Sequence, residues 1–364
     1  MDKIVPITKK LFKMADFYKC LFVTYDSKKN QIVPASKLNQ GINYCWMLVQ
    51  LFQVVCQVIS MATRAASLAQ LAMGITLTFG CFIGFMWHLD LRRDNVPAQI
   101  WNSIADRKGI TTTPQRETII FICLALMFNG ILVVSIVVPL LLAAVVAISP
   151  CLPPFLSSLF CRPDNMEWIF DKKIKLGFAI IEFVLYSMGT IAGAYYGVFF
   201  QPPAISRLWL DCKTLIESPD IVENQFSVYR KIQIYEKTLN SSIRDRIFLL
   251  MALLCPLFQV LAGFASIVAA NSGNFSILVV CGMLYCVVLS VTLISFSAAA
   301  KVSQITQIWI MSTRAKCKIK VDRKTLKSLV SLRIQFGMNF VEALTPLVVQ
   351  EFCVQQTTSL LLLR

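Results

Sequence analysis

The chain has 364 residues, of which 56% are hydrophobic and 15% charged, and its formal net charge is +15. Soluble domains average about 25% charged residues, so this composition excludes an ordinary soluble enzyme. Charged residues are absent from four runs, 38–63, 65–89, 118–161 and 247–300. Because about 20 apolar residues cross a bilayer as a helix, the sequence predicts an all-α integral membrane protein with several spans.

Residues 1–41 are basic and contain no apolar core of signal-peptide length, so we expect them to form a cytosolic N-terminal segment. Charges, prolines and Gly/Asn clusters divide the following apolar runs into seven helices. In chain order these are 42–62, 65–89, 119–148, 176–200, 247–270, 277–299 and 340–363. The chain after residue 41 is thereby divided into five parts. These are four spans with their loops in 42–200, a cytosolic connection in 201–246, two spans in 247–299, a basic cytosolic connection in 300–339 and a last helix in 340–364.

The basic residues indicate the orientation of these spans. Of the Lys and Arg residues, 29 fall on the side of the N-terminus and 6 on the other side. Since Lys and Arg near short loops stay in the cytosol, the N-terminus is predicted to be cytosolic and the C-terminus extracellular, in the plasma membrane. The positive charge therefore reflects topology, and no nucleic-acid partner is expected. G-protein-coupled receptors run in the opposite direction.

Glycines recur every four residues in two spans, at Gly80 and Gly84 and at Gly189, Gly193 and Gly197. Such faces let helices approach closely, and packing within one subunit is preferred here to a subunit interface.

The loop 149–175 and the fourth span contain further candidate residues. Cys151 and Cys161 are able to pair in an oxidising compartment, whereas the remaining cysteines suggest neither a disulfide framework nor a metal site. Glu182 is an acid inside the fourth span, close to aromatic residues on the same helix. Acids within spans are costly and often functional: Glu182 either holds a cationic ligand, is protonated, or bonds to a neighbouring helix.

Two cytosolic segments have helical spacing of apolar residues. Residues 225–246 are predicted to extend the fifth helix into the cytosol. Residues 321–339 are predicted to form an amphipathic helix, which lies on the membrane surface or packs with another subunit.

The last helix carries a polar stripe. At 3.6 residues per turn, Glu351, Gln355 and Thr358 fall within about 60° of one another, and Leu362 continues the stripe. Such a stripe must face protein or water. It either lines a pore in which Glu351 forms a ring that favours cations, or makes hydrogen bonds within one bundle. No nucleotide, metalloprotease or hydrolase motif is present, so neither an enzyme nor a cofactor is expected.

The inverted seven-span topology, the short outer turn at 271–276, the long 201–246 connection and the C-terminal last helix together resemble the arthropod gustatory and odorant receptors. That family ends in Thr-Tyr, about five apolar residues and Gln-Phe; the nearest match here is residues 357–364. The resemblance implies a homo- or heterotetrameric ligand-gated cation channel that binds a small molecule. It maps the cytosolic anchor to 225–246 with 321–339, the pore to Glu351, Gln355 and Thr358, and the pocket to Phe178, Glu182, Phe183, Tyr186, Phe264 and Tyr285. A secondary transporter and a non-conducting accessory protein are the alternatives.

Overall fold

The computed structural model describes residues 4–29, 31–65, 67–89, 96–106, 114–162, 168–217, 222–316 and 320–363. Parts of the predicted connections, at 90–95, 107–113, 163–167 and 218–221, and the terminal Arg364 lie outside the described residues.

The N-terminal segment folds against the inner end of the bundle, which is the end with most of the basic residues. Helix α1 (Ile4–Tyr18) is followed by a hairpin of β1 (Val23–Asp26) and β2 (Gln31–Pro34), in which Val23 pairs with Pro34. The chain then forms α2 (Lys37–Arg64), α3 (Leu68–His88) and the short α4 (Val96–Asp106). Asn102 of α4 bonds both the N–H and the C=O of Ile32, at 2.7 and 2.8 Å, so α4 holds the hairpin.

The rest of the bundle is helical. In order it comprises α5 (Pro114–Ile148), α6 (Lys172–Ala194), α7 (Gln201–Glu217), α8 (Val222–Ser242), α9 (Phe248–Asn271), α10 (Phe275–Lys316), α11 (Lys320–Ser328), the strands β3 (Gln335–Phe336) and β4 (Asn339–Phe340), and α12 (Thr345–Leu362). Six helical stretches in the described chain are long and apolar enough to span a membrane. The 18 residues of α12 add a seventh helix of about 27 Å. The predicted all-α membrane architecture is thereby confirmed.

Two long helices continue out of the membrane-spanning region through π-helical turns. The turn Tyr195–Phe200 joins α6 to α7, and the turn Ile243–Ile247 joins α8 to α9. The second junction agrees with the predicted extension of the fifth helix. The helix α7, which begins at Gln201, was not predicted.

The predicted helix over 321–339 is wrong beyond Ser328. Residues 329–334 are not helical and lead into the β3–β4 hairpin, where Gly337 has φ +54°. Leu332 and Ile334 are buried, whereas Arg333 between them is half-buried, which is the two-residue alternation of an extended chain. The last helix consequently begins at Thr345 and not at residue 340.

The glycine faces bring α3 and α6 together inside the subunit. A Cβ added at Gly84 would lie 3.2 Å from the carbonyl oxygen of Gly189, and one at Gly193 would lie 3.4 Å from the Cα of Gly84. One at Gly197 would lie 2.7 Å from the ring of Trp87. The preferred explanation, packing within one subunit, is confirmed for these three glycines.

Candidate functional site

A cavity of about 180 Å³ lies among α3, α5, α6, α9 and α10, and α2 closes one side. Its wall on α5 runs from Ile131 to Leu142, in the middle of the apolar stretch Leu124–Ile148. Apolar side chains such as Trp87, Val138 and Phe258 form most of the surface. A concave, mostly apolar space with few polar groups is typical of a small-molecule site.

The α3–α6 glycines help to create this space. Gly80, Gly84, Gly189 and Gly193 all line it. Because these residues have no side chain, the cavity extends to the helix backbones.

Most polar groups of the cavity already have partners. Ser135 and Thr190 donate their hydroxyls to carbonyl oxygens of their own helices, at 2.8 and 2.9 Å. The hydroxyl of Tyr186 accepts a hydrogen bond from the Gln57 amide at 2.8 Å, and the indole of Trp87 donates to the Ile247 carbonyl at 3.3 Å. The side-chain nitrogens of Gln50 and Gln53 have no partner.

These glutamines belong to a polar face of α2 that the sequence analysis missed. Asn43, Gln50, Gln53, Gln57 and Ser60 are all buried, with exposed fractions of at most 4%. Their spacing of seven, three, four and three residues places them on one helical face. That spacing is visible in the sequence, but a search restricted to ionisable residues overlooks neutral amides.

His88 joins this face at the inner end of the bundle. Its Nδ1 lies 3.0 Å from Oε1 of Gln50 and its Nε2 lies 2.8 Å from Oδ1 of Asn43. The ring is fully buried. One end of the Gln50 amide is therefore held by His88, while its nitrogen lies 3.6 Å from the position of a Cβ on Gly189.

Of the six residues proposed for the pocket, Tyr186 lines the cavity and the other five do not. Phe178 packs on Phe160 and Trp168 of the outer loop, with ring centroids 5.0 and 5.8 Å apart. Phe183 and Phe264 are half-buried. The ring of Tyr285 faces Gly263, where an added Cβ would lie 3.3 Å away.

Glu182 is fully buried but binds the outer loop. Its Oε1 accepts the N–H of Leu156 at 2.6 Å, at the start of the 3₁₀ turn Leu156–Phe160. Cys151 and Cys161 are joined by a disulfide across the same loop, with their Cα atoms 5.7 Å apart. The carboxylate and the disulfide together fix this loop over the outer end of the bundle.

The helix α12 packs against α9 through one side, and few of its polar residues take part in this contact. Gln259 donates its amide to Oε1 of Gln350 at 2.7 Å, and the thiol of Cys353 contacts the carbonyl of Pro256 at 3.6 Å. Cys353 is the buried residue of α12. One side of the helix is thus fixed to its own subunit.

The four residues proposed for the pore lie on the opposite side of α12. Glu351, Gln355, Thr358 and Leu362 are all exposed. Gln355 donates to Oε1 of Glu351 at 3.2 Å, and Thr358 donates to the carbonyl of its own helix at Val354. Among the described residues, these four side chains make no hydrogen bond to another helix of the bundle. Glu351, Gln355 and Thr358 form an uncovered polar stripe, which the apolar Leu362 continues.

The segment that leads into α12 is fixed to the inner helices. The hydroxyl of Tyr229 on α8 donates to the carbonyl of Val330 at 2.6 Å, and its ring stacks on Trp309 of α10 at 4.7 Å. Asn240 bonds the carbonyl of Arg333 and the N–H of Gln335. Movements of α8 and α10 are thereby connected to α12 through residues 329–340.

Comparison with solved structures identifies the architecture. The chain superposes on the insect olfactory receptor OR5 from Machilis hrabei in complex with eugenol with a TM-score of 0.62 and 14% identity, over 99% of this chain and 100% of that one. The chain has the fold of an insect olfactory receptor. A second structure of that receptor gives a TM-score of 0.63 and 13% identity, over 98% of both chains. No protein-family model and no curated protein matches the sequence. The match confirms, for the fold, the resemblance expected from topology.

Proposed function

We propose that this protein is a chemosensory receptor of the plasma membrane that acts as a ligand-gated cation channel, assembled from four subunits around α12. The fold supports a receptor rather than an enzyme, and the related receptor OR5 has been solved in complex with eugenol. The proposal includes a small molecule in the central cavity as the ligand.

The observation that carries the proposal is the uncovered polar stripe on α12. An ionised side chain at the centre of a bilayer costs about 2.5–3.5 kcal/mol on insertion scales. Glu351 lies six residues after Thr345, about 9 Å into a 27 Å helix. Because the stripe faces away from its own bundle, it requires water or another subunit. A pore on the axis of an oligomer supplies both.

Apolar residues exposed outside the membrane support assembly. Ile234 on α8, Met311 on α10, Val330 and Met338 have exposed fractions of 65%, 70%, 64% and 98%. They lie on elements that pack together at the inner end of the subunit and belong to segments with many basic residues. Apolar surface exposed to water is typical of a protein interface where it is contiguous, and we assign these four residues to contacts between the four subunits.

Ionic currents in oocytes test the channel directly. The replacement Glu351→Gln removes the ring of charges, so the reversal potential of ligand-evoked current should shift towards that of chloride. Glu217→Gln is the matched control, because Glu217 is exposed at the end of α7 and contacts Lys213 at 3.7 Å, and it should leave selectivity unchanged. An unaltered reversal potential in the Glu351 variant would remove Glu351 from the pore.

A further inference from the structure

We propose that the N-terminal helix α1 is a binding site for anionic phospholipids of the cytosolic leaflet. In this site Lys10 and Lys13 contact the lipid headgroups, and Phe17 lies among the acyl chains. The proposal goes beyond the channel, because it concerns the outer surface of each subunit and neither the central cavity nor α12.

The contacts of α1 place it at the inner boundary of the bilayer. The 23 residues of α6 measure about 35 Å along the helix axis, slightly more than the roughly 30 Å of a hydrocarbon core, so Tyr195 after its end lies near the inner headgroups. The ring of Phe12 on α1 meets that of Tyr195 edge-on, with centroids 5.7 Å apart. Phe12 also belongs to one buried cluster with Leu124, where the apolar stretch of α5 begins. The helix α1 is therefore level with the headgroups of the cytosolic leaflet.

The two faces of α1 differ in character. The face towards the bundle is made of the buried residues Ile7, Leu11, Phe12 and Ala15. Lys10, Lys13 and Phe17 are exposed, and their spacing of three and four residues puts them together on the other side of the helix. Because the bundle occupies the apolar face, the basic face points towards the surroundings of the subunit.

Phe17 requires an apolar environment that the described part of its own subunit does not supply. Its side chain is 80% exposed, and its ring meets the neighbouring Tyr18 edge-on at 5.0 Å. Leu38, in the first turn of α2 at the same end of the bundle, is 72% exposed. Removal of such side chains from water is favourable, and lysines beside exposed apolar residues at this depth are typical of an interfacial helix. Acyl chains supply the environment that Phe17 requires.

The charge of this segment favours anionic lipid. Residues 4–38 contain seven lysines and two aspartates. Both carboxylates are already engaged, since Asp16 accepts a hydroxyl of β1 at 2.7 Å and Asp26 accepts two N–H groups of the hairpin turn at 2.9 and 3.3 Å. Within the described chain, neither Lys10 nor Lys13 forms an ion pair. Because the cytosolic leaflet is negative and attracts lysines beside the membrane, its headgroups provide the counter-charge.

Quenching by brominated lipids tests the site in the full-length protein. The replacement Phe17→Trp adds a fluorescent reporter, and the native protein with its six tryptophans gives the baseline. Nanodiscs of phosphatidylcholine receive increasing fractions of phosphatidylserine or phosphatidylcholine brominated on the acyl chains. The introduced tryptophan should be quenched by both lipids, and brominated phosphatidylserine should reach half-maximal quenching at a lower fraction. Lys10→Gln or Lys13→Gln should each raise that fraction about fivefold, the factor equivalent to ~1 kcal/mol per lysine near an anionic surface.

Lys231→Gln is the matched control, because it removes the same charge from an exposed position on α8. Lys231 precedes the start of the span at Phe248 by about 25 Å of helix, which exceeds the Debye length of ~10 Å, so the half-maximal fraction should not change. Absence of quenching beyond the baseline would show that α1 faces protein or water, and would overturn the proposal. Equal half-maximal fractions for the two lipids, or an equal shift in Lys231→Gln, would overturn it as well.

Retained lipid gives a second measurement that does not depend on the Phe17→Trp variant. The native protein and the Lys10→Gln/Lys13→Gln variant are purified in mild detergent from membranes that contain both phospholipids, and the lipid bound to each is measured by mass spectrometry. The variant should retain less phosphatidylserine relative to phosphatidylcholine. An unchanged ratio would contradict the proposal.

Discussion

The replacement Glu351→Leu distinguishes a pore-facing stripe from one that faces lipid. If Glu351 faces hydrocarbon, the substitution removes a cost of about 3 kcal/mol per subunit, the insertion penalty of an ionised residue, and unfolding becomes harder by that amount. If Glu351 faces a hydrated pore, its carboxylate is already solvated and the free energy of unfolding should change by less than about 0.5 kcal/mol, as at other solvated surface positions. We expect the second outcome, together with a reduced cation conductance.

The assay is denaturant unfolding in bicelles, and an inverse substitution calibrates it. Leu140 on α5 is 58% exposed and lies within the apolar stretch Leu124–Ile148. Leu126, Val133 and Ile136 are exposed on the same helix at helical spacing, so we expect this face to contact lipid. Leu140→Glu should therefore destabilise the protein by about 3 kcal/mol. Stabilisation of that size by Glu351→Leu, with conductance retained, would refute the pore assignment.

Three further substitutions test the packing that positions the cavity and α12. Gly197→Val should destabilise the bundle by about 1–3 kcal/mol, because even a Cβ would lie 2.7 Å from the ring of Trp87. Tyr229→Phe should cost about 1 kcal/mol, the value of its 2.6 Å hydrogen bond to Val330, and should shift the ligand concentration for half-activation. Cys151→Ser should cost roughly 2–4 kcal/mol, because the disulfide no longer restrains the unfolded chain. Thermal unfolding in nanodiscs measures each stability change.

Control substitutions of the same residue types show whether these losses of stability are specific to the positions tested. Gly130→Ala should be neutral or slightly stabilising, since a Cβ there would contact nothing within 4 Å. Cys45→Ser, at an exposed free cysteine, should leave stability unchanged. A Gly197→Val protein as stable as the native one would contradict the close packing of Trp87. If the dose response of the Tyr229→Phe variant is unchanged, the hydrogen bond of Tyr229 does not connect movements of the inner helices to α12.

The membrane helices could be predicted from the sequence because hydrocarbon excludes charge. Runs without Asp, Glu, Lys or Arg therefore mark the spans, and the asymmetry of Lys and Arg indicates their direction. The positions at which helices end outside the bilayer are not set by the exclusion of charge from hydrocarbon. Hydropathy does not show that α10 continues to Lys316 or that α7 begins at Gln201, because aqueous helices depend on packing rather than on exclusion of water.

The residues 329–334 show why amphipathic spacing was misleading. Leu326, Leu329 and Ile334 are buried, as a helix would require, but Leu332 is buried too and Val330 is not. The tertiary bonds of Asn240 to residues 333 and 335 hold this segment extended. No local signal in the sequence reveals those partners.

The pocket was predicted by depth and aromatic character, and the rotation of each helix was unknown. On α6, Phe178 turns towards the outer loop whereas Tyr186 reaches the cavity. The buried amides that line the cavity, Gln50 and Gln53, lie on α2 and are neutral. Their burial depends on which face of α2 meets the bundle, which emerges only when the helices are assembled.

The most direct test of the channel is an image of the purified protein in lipid. We predict four subunits around one axis, with the four α12 helices nearest that axis and Glu351, Gln355 and Thr358 facing a water-filled opening. A monomer, or an oligomer in which α12 lies at the lipid-facing periphery, would contradict the account.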